Sequence, residues 1–283
     1  MANKRILVIG GTGYIGKALV KELAKEFDLT LMLRKSPNYR TDYKYFICNI
    51  LNKECLMKNI KHFDIVINLA SIIKTFNKKK YNENSTGLKN LIEVLEQNKI
   101  KKLIYFSTQN VNLRNKGYYA KSKQNAEELL KNSKLDYIIL RPNYVYEIGK
   151  NNYFYKITKL ISRFNIIFII GKGENKIQPI LKEDLVNIVL NLIKNYKSKS
   201  IIEISGKDII SINQIVDSIS KELKRNPIKI HLPMKILKIF KLIIPFDIEG
   251  FNEDRISEKP YKNYDFLPLE KGMKKIIDLL RNK

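Results

Sequence analysis

Ile6-Leu7-Val8-Ile9-Gly10-Gly11-Thr12-Gly13-Tyr14-Ile15-Gly16 reads as a buried strand that passes through a glycine turn into a helix. The three spaced glycines have separate steric duties. Gly10 permits the tight turn, Gly13 lets backbone approach a pyrophosphate, and Gly16 lets the helix sit close to the strand. The helix start adds backbone N–H groups and the positive end of the helix dipole, a setting suited to phosphate. The cofactor candidates here are Gly10, Gly11, Thr12, Gly13, Tyr14, Ile15 and Gly16.

Outward from this turn, short β-branched runs alternate with amphipathic helical stretches. Strands are predicted at 5 to 9, 29 to 33, 45 to 47, 64 to 69, 102 to 107 and 137 to 140, with helices at 14 to 26, 53 to 60, 84 to 98 and 119 to 132. That rhythm predicts an α/β fold, a doubly wound parallel sheet of the Rossmann type. After Arg141-Pro142 helices dominate, at 153 to 163, 182 to 195, 211 to 224, 233 to 243 and 270 to 281, with strands near 166 to 170 and 201 to 205. The expected division is a dinucleotide-binding domain over 1–145 and a small, mostly helical substrate lobe over 146–283, with segments near 166–205 returning to the sheet. No repeat and no Gly/Ser-rich or Pro-rich linker separates the two.

The chain has 283 residues, 44% of them hydrophobic and 29% charged, with a formal net charge of +25. Its lysines are spread throughout among many Ile and Asn, which reads as compositional bias and not as a nucleic-acid-binding face. Cys48 and Cys55 make no bridge framework, and no secretory leader precedes the first strand, so a cytoplasmic location is expected. His62 and His231 lack clustered ligand partners, and no metal site is expected. Leu232 to Phe246 is apolar, with Lys235, Lys238 and Lys241 spaced by three. It is too short and too charged to span a bilayer, and a packed helix is preferred over a membrane-surface one.

Two further clusters carry chemistry. Arg34-Lys35 stands at the end of the second strand, where an acidic residue would meet the ribose hydroxyls of NAD; cations there suit a 2′-phosphate, so NADP is preferred over NAD. Asp28, at the other end of that strand, is misplaced for the ribose. Tyr119-Ala120-Lys121-Ser122-Lys123 puts a phenol and an ammonium one helical turn apart. A phenol of pKa ~10 is a poor base at neutral pH, and the neighbouring cations are expected to lower that value. At the preceding strand end, Thr108 is the first choice to hold the substrate oxygen and Ser107 the second.

With its GxxGxxG spacing and its YxxxK helix, the chain resembles the extended and atypical short-chain dehydrogenase/reductases, the NAD-dependent epimerase/dehydratase family. The likeness extends to Asp64–Ser71, whose Leu69, Ala70 and Ser71 would line the cofactor, and to Asn84–Asn90, whose Asn84 would support the active site. It also covers Leu140–Tyr146, with Pro142 near the nicotinamide, and Gln178–Asp184, which would close over substrate. Asn49-Ile50 stands where the family has an Asp-Leu pair at the adenine. The resemblance implies that Tyr119 and Lys123 also touch the cofactor.

Two departures shape the functional expectation. Gln109-Asn110 replaces the Asp-Glu pair of the dehydratases, and amides cannot shuttle the proton of water elimination, so a 4,6-dehydratase is disfavoured. The short span from Ser107 to Tyr119 resembles the atypical branch. The family implies an oxidoreductase or epimerase transferring hydride at a carbonyl/alcohol carbon of a nucleotide-sugar, acting as a homodimer. The alternative is a dinucleotide-binding structural or assembly protein resembling the accessory subunit of respiratory complex I, without turnover.

Overall fold

A strand sandwiched between two layers of helices needs apolar side chains on both faces, and β1 (Arg5–Ile9) supplies them: Ile6, Leu7, Val8 and Ile9 are at most 1% exposed. The computed structural model describes residues 4–37, 41–150, 152–235 and 252–281. From β1 the chain runs through α1 (Tyr14–Leu23), β2 (Asp28–Leu33), β3 (Lys44–Ile47), α2 (Lys53–Asn59), β4 (Ile65–Asn68), α3 (Glu83–Gln97), β5 (Lys102–Phe106), α4 (Tyr118–Lys131) and β6 (Asp136–Pro142). Then come β7 (Val145–Tyr146), α5 (Tyr153–Arg163), β8 (Ile166–Ile170), β9 (Lys176–Ile177), β10 (Ile180–Leu181), α6 (Lys182–Lys194), β11 (Ser200–Ile204), β12 (Ile210–Ser211), α7 (Ile212–Leu223), β13 (Ile228–Leu232) and α8 (Leu269–Arg281).

Seven strands form one sheet in the order β11-β6-β5-β4-β1-β2-β3, parallel from β3 through β6. The doubly wound α/β sheet expected from the sequence is thus the fold. The strand order reverses between β1 and β4, which opens a crevice at their carboxyl ends. On one face Leu7, Ile9, Val66, Leu103 and Ile139 pack with Leu88, Leu91 and Leu95 of α3 and Leu130 of α4.

The chain groups into two compact units. The first holds Met1–Val111, Tyr118–Arg141 and Val186–Ile202; the second holds Asn112–Gly117, Pro142–Leu185 and Glu203–Lys283. The second unit has its own core, with Phe154, Ile157 and Ile161 of α5, Ile167 and Ile169 of β8, Ile215 and Ile219 of α7, and Ile276 of α8. Its strands form three two-stranded pairs, β10 with β7, β12 with β9 and β13 with β8. The sequence reading missed β13 as a strand. The helix expected at 233 to 243, and most of Leu232 to Phe246, lie outside the described residues. Among the described residues no helix is long and apolar enough to cross a membrane.

Ile67 of β4 is fully buried in the middle of the sheet. Ile67→Ala is expected to lower unfolding stability by about 2–5 kcal/mol, through lost transfer energy and the cavity left behind. Urea unfolding should show a lower midpoint at an unchanged slope.

Candidate active site

The glycine turn is shaped by backbone packing. Gly10 takes φ +84°, and a Cβ there would lie 2.7 Å from the Ala70 backbone nitrogen. A Cβ on Gly16 would run into the Gly10 carbonyl oxygen. Gly13 differs: an added Cβ would touch only that same oxygen, at 3.3 Å, so its outer side borders open space. Gly13 also stands at the N-cap of α1, where no side chain caps the helix and no carboxylate occupies the first turn. The positive end of the helix therefore faces that space, a cradle that fits a pyrophosphate.

A cavity of about 960 Å³ extends from this turn. It is lined by Gly10, Thr12 and Gly13, by Leu33 to Pro37 after β2, by Asn49 to Leu51 after β3, and by Leu69 to Thr75 after β4, with Asn84 at its end. Its ionisable lining is Lys17, Arg34, Lys35, Lys74 and Lys80 against Glu83, a cationic setting for an anionic ligand. Gly11, Tyr14, Ile15 and Gly16 belong to the turn but do not line the cavity; Gly11 and Gly16 are buried.

The segment after β3 is fixed from α3. Asn90 donates through Nδ2 to the Ile50 and Leu51 carbonyls, at 3.3 and 3.1 Å. Ile50 nests against Gly87, where an added Cβ would lie 2.7 Å from Ile50 Cγ2. Cys48 and Cys55 bracket this segment and form a disulfide with Cα atoms 6.0 Å apart, a pairing the sequence reading did not assign.

Asn84 braces the far end. Its Oδ1 accepts from Ile72 N at 2.7 Å, and its Nδ2 donates to Ser122 Oγ at 3.0 Å. Ser122 in turn donates to the Tyr119 carbonyl at 2.8 Å. Asn84 thereby ties the cavity wall to the start of α4.

Tyr119 is half-buried, and its hydroxyl is hydrogen-bonded with those of Ser71 and Thr108. Burial pushes its pKa up to about 12, while those two hydrogen bonds act in the opposite direction. Among the protein's own groups desolvation outweighs the hydrogen bonds. Lys123 is 1% exposed, donates to the Phe106 carbonyl at 2.5 Å and lies 4.0 Å above the Tyr105 ring. Burial brings its pKa down to about 7, and Glu127 pulls it upward.

Thr108 and Ser107 have different fates. Ser107 donates to Glu127 Oε1 at 2.5 Å, so the second candidate for the substrate oxygen is committed inside the protein. Arg141 grips the same carboxylate, Nε on Oε1 at 3.0 Å and an Nη on Oε2 at 2.5 Å. Glu127, Arg141 and Ser122 were not singled out in the sequence. The signal for Glu127 was its position four residues beyond Lys123 on the same face of the helix.

Other expected residues fall elsewhere. Pro142 is the buried last residue of β6 and belongs to the second unit. Within that unit Gln178 donates to the Gly206 carbonyl and accepts from Ser257 N, and Asp184 accepts from Leu267 N and the Tyr264 hydroxyl. The polar ends of the 178–184 segment thus hold its own fold together. Asp28 pairs with Lys44 at 2.7 Å.

The sequence profile of the family described as NAD(P)H-binding matches residues 10–166. The N-acetyl-alpha-D-glucosaminyl-diphospho-ditrans,octacis-undecaprenol 4-epimerase of Escherichia coli O157:H7 is 22% identical over 82% of this chain and 76% of its own length. The dTDP-D-glucose 4,6-dehydratase of Dictyostelium discoideum is 28% identical over 77% of this chain and 54% of its own length. Among solved structures, UDP-glucose 4-epimerase of Thermotoga maritima superposes with a TM-score of 0.77 at 18% identity, covering 98% of this chain and 99% of that one.

Lys123 also governs pH dependence. Its pKa is lower folded than unfolded, so between about pH 7 and pH 10 the unfolded chain binds the extra proton and stability rises with pH. The full proton is worth ~1.4 kcal/mol per pH unit in that window. Lys123→Met is expected to flatten the rise, measured as thermal midpoint against pH.

Proposed function

Since the chain belongs to the NAD(P)H-binding family, we propose that it is an NAD(P)-dependent epimerase or reductase of the short-chain dehydrogenase type, acting at a carbonyl/alcohol carbon of a nucleotide-linked sugar. The observation that carries this is Tyr119, held by the hydroxyls of Thr108 and Ser71 one helical turn from a buried lysine. Ser71 also lines the cavity that begins at the glycine turn, so proton chemistry and the cofactor cradle share a wall.

A bound NAD(P) supplies the chemistry no side chain offers, accepting a hydride and giving it back. Tyr119 receives the proton of the substrate alcohol while the electron pair of the carbon–hydrogen bond leaves with the hydride, and a carbonyl results. Thr108 orients the substrate oxygen. Burial holds the phenol protonated; the hydrogen bonds with Ser71 and Thr108 act against that, and the positive charge of an oxidised nicotinamide ring would act in the same direction, toward the phenolate. For an epimerase Tyr119 returns the proton after hydride has come back to the opposite face; for a reductase only the second half is needed.

The two positions after Thr108, Gln109 and Asn110, carry amides, which cannot shuttle the proton of water elimination. This separates the chain's reading from the dehydratase relative and favours the epimerase one. Arg34 and Lys35 are exposed on the cavity rim and support NADP over NAD.

Tyr119→Phe is expected to reduce turnover by about 10³-fold with dinucleotide affinity nearly unchanged. Turnover near that of the unsubstituted enzyme would remove the assignment. Arg34→Ser should weaken NADPH binding relative to NADH by about tenfold, read by fluorescence titration of each nucleotide.

A further inference from the structure

Lys123 reaches the end of β5 with almost no water around it. An ammonium carries three donors, and among the described residues Lys123 uses one, on the Phe106 carbonyl. Glu127, on the same helix, draws it toward the charged form. Both oxygens of that carboxylate are already taken by Ser107 and Arg141, so the pull acts through space. A desolvated cation with a single hydrogen bond needs a further source of negative potential.

Tyr105, the residue before Phe106 on β5, offers one. Lys123 Nζ stands 4.0 Å from the centroid of its ring, well inside the ~6 Å over which an aromatic face attracts a cation. The ring is 1% exposed and shares a core with Leu88 and Leu91 of α3 and Ala126 and Leu130 of α4, which fixes its orientation and keeps water from weakening the attraction. Its hydroxyl has no hydrogen-bond partner among the described residues. An aliphatic side chain in this core would avoid that orphaned group. What Tyr105 gives Lys123 is therefore the ring face.

We propose that Tyr105 is a positioning residue, whose ring face holds the Lys123 ammonium at the end of β5 and keeps it charged. The inference rests on the reaction proposed above, in which Lys123 is the cation one helical turn from Tyr119. The other ionisable groups on the elements around it are few. Glu127 lies on α4 itself, Arg141 on β6 is turned to Glu127, Tyr119 opens α4 with Tyr81 facing it at 6.3 Å, and apart from these the buried residues of α3 are uncharged.

The test is the titration of Lys123 in the full chain, followed by NMR of isotope-labelled lysine Cε and assigned by the signal lost in Lys123→Met. Tyr105→Leu is expected to lower the Lys123 pKa by at least about one pH unit, and Tyr105→Phe to keep it near the unsubstituted value. Mono-, di- and trifluorinated phenylalanine at position 105 withdraw charge from the ring face at nearly constant volume, and should lower the pKa step by step. This series decides the matter if the Leu variant does not fold, and thermal midpoint with NADPH affinity shows which variants do. A flat fluorination series, a folded Leu variant with an unchanged pKa, or a Phe variant that falls as far as Leu would each overturn the proposal, the last by showing that the hydroxyl acts. The titration needs neither cofactor nor substrate, so its failure strikes this assignment alone, while Tyr119→Phe judges the reaction.

Discussion

The approach of Gly10 to Ala70 brings the end of β1 against the segment after β4 with no room for a side chain between them. Backbone amides complete the contact. Leu69 N donates to the Ile9 carbonyl at 2.8 Å, and Ala70 N to Asn68 Oδ1 at 3.0 Å. With these two chain segments locked, α1 must leave at one angle, and Gly16 lets it leave close to the strand. The cavity, its cations and the direction of the helix dipole all follow from that junction. A larger residue at Gly10 or Gly16 would act on binding by displacing backbone, whereas one at Gly13 would act by filling ligand space.

The surroundings of Lys123 depend on a buried carboxylate. Glu127 is 1% exposed, and burying a lone charge of this kind is costly; Arg141 and Ser107 make it tolerable by satisfying both oxygens. The result links β5, α4 and β6 through side chains as well as through the sheet. Lys123, one turn earlier on α4, gains from the same carboxylate a pull toward its charged form that opposes its own desolvation. Removing Arg141 would leave Glu127 buried with only Ser107 and the Lys123 charge beside it, and breaking a buried pair costs roughly 3–5 kcal/mol in comparable settings. Loss of Glu127 itself would also shift Lys123 toward the neutral amine.

The parts that could be read in advance are those governed by local spacing. Glycines at 10, 13 and 16 and the Tyr119–Lys123 interval encode one turn and one helix face, and alternating apolar runs identify the sheet strands. Contacts between distant segments were not legible in this way. Glu127 looked like one more charge in a charged helix until Arg141, fourteen residues on, closed over it. β13 lies about sixty residues beyond β8 in sequence, and Ile228-Lys229-Ile230 is too brief to stand out as a strand without its partner. The desolvation of Tyr119 was not legible for the same reason, since burial is a property of the assembled fold.

Net charge shows the same division between composition and placement. A chain with +25 and lysines everywhere gives no reason to choose one face, and as composition the bias reading is sound. Folding sorts those charges unequally. Lys17, Arg34, Lys35, Lys74 and Lys80 converge on a concave space, where fields add and salt screens less well. Lys156, Lys159 and Arg163 stand instead on the solvent side of α5, beside apolar residues that the core of their own unit leaves uncovered. A cation in the first group acts through the shape around it, whereas one in the second is screened by the water around it.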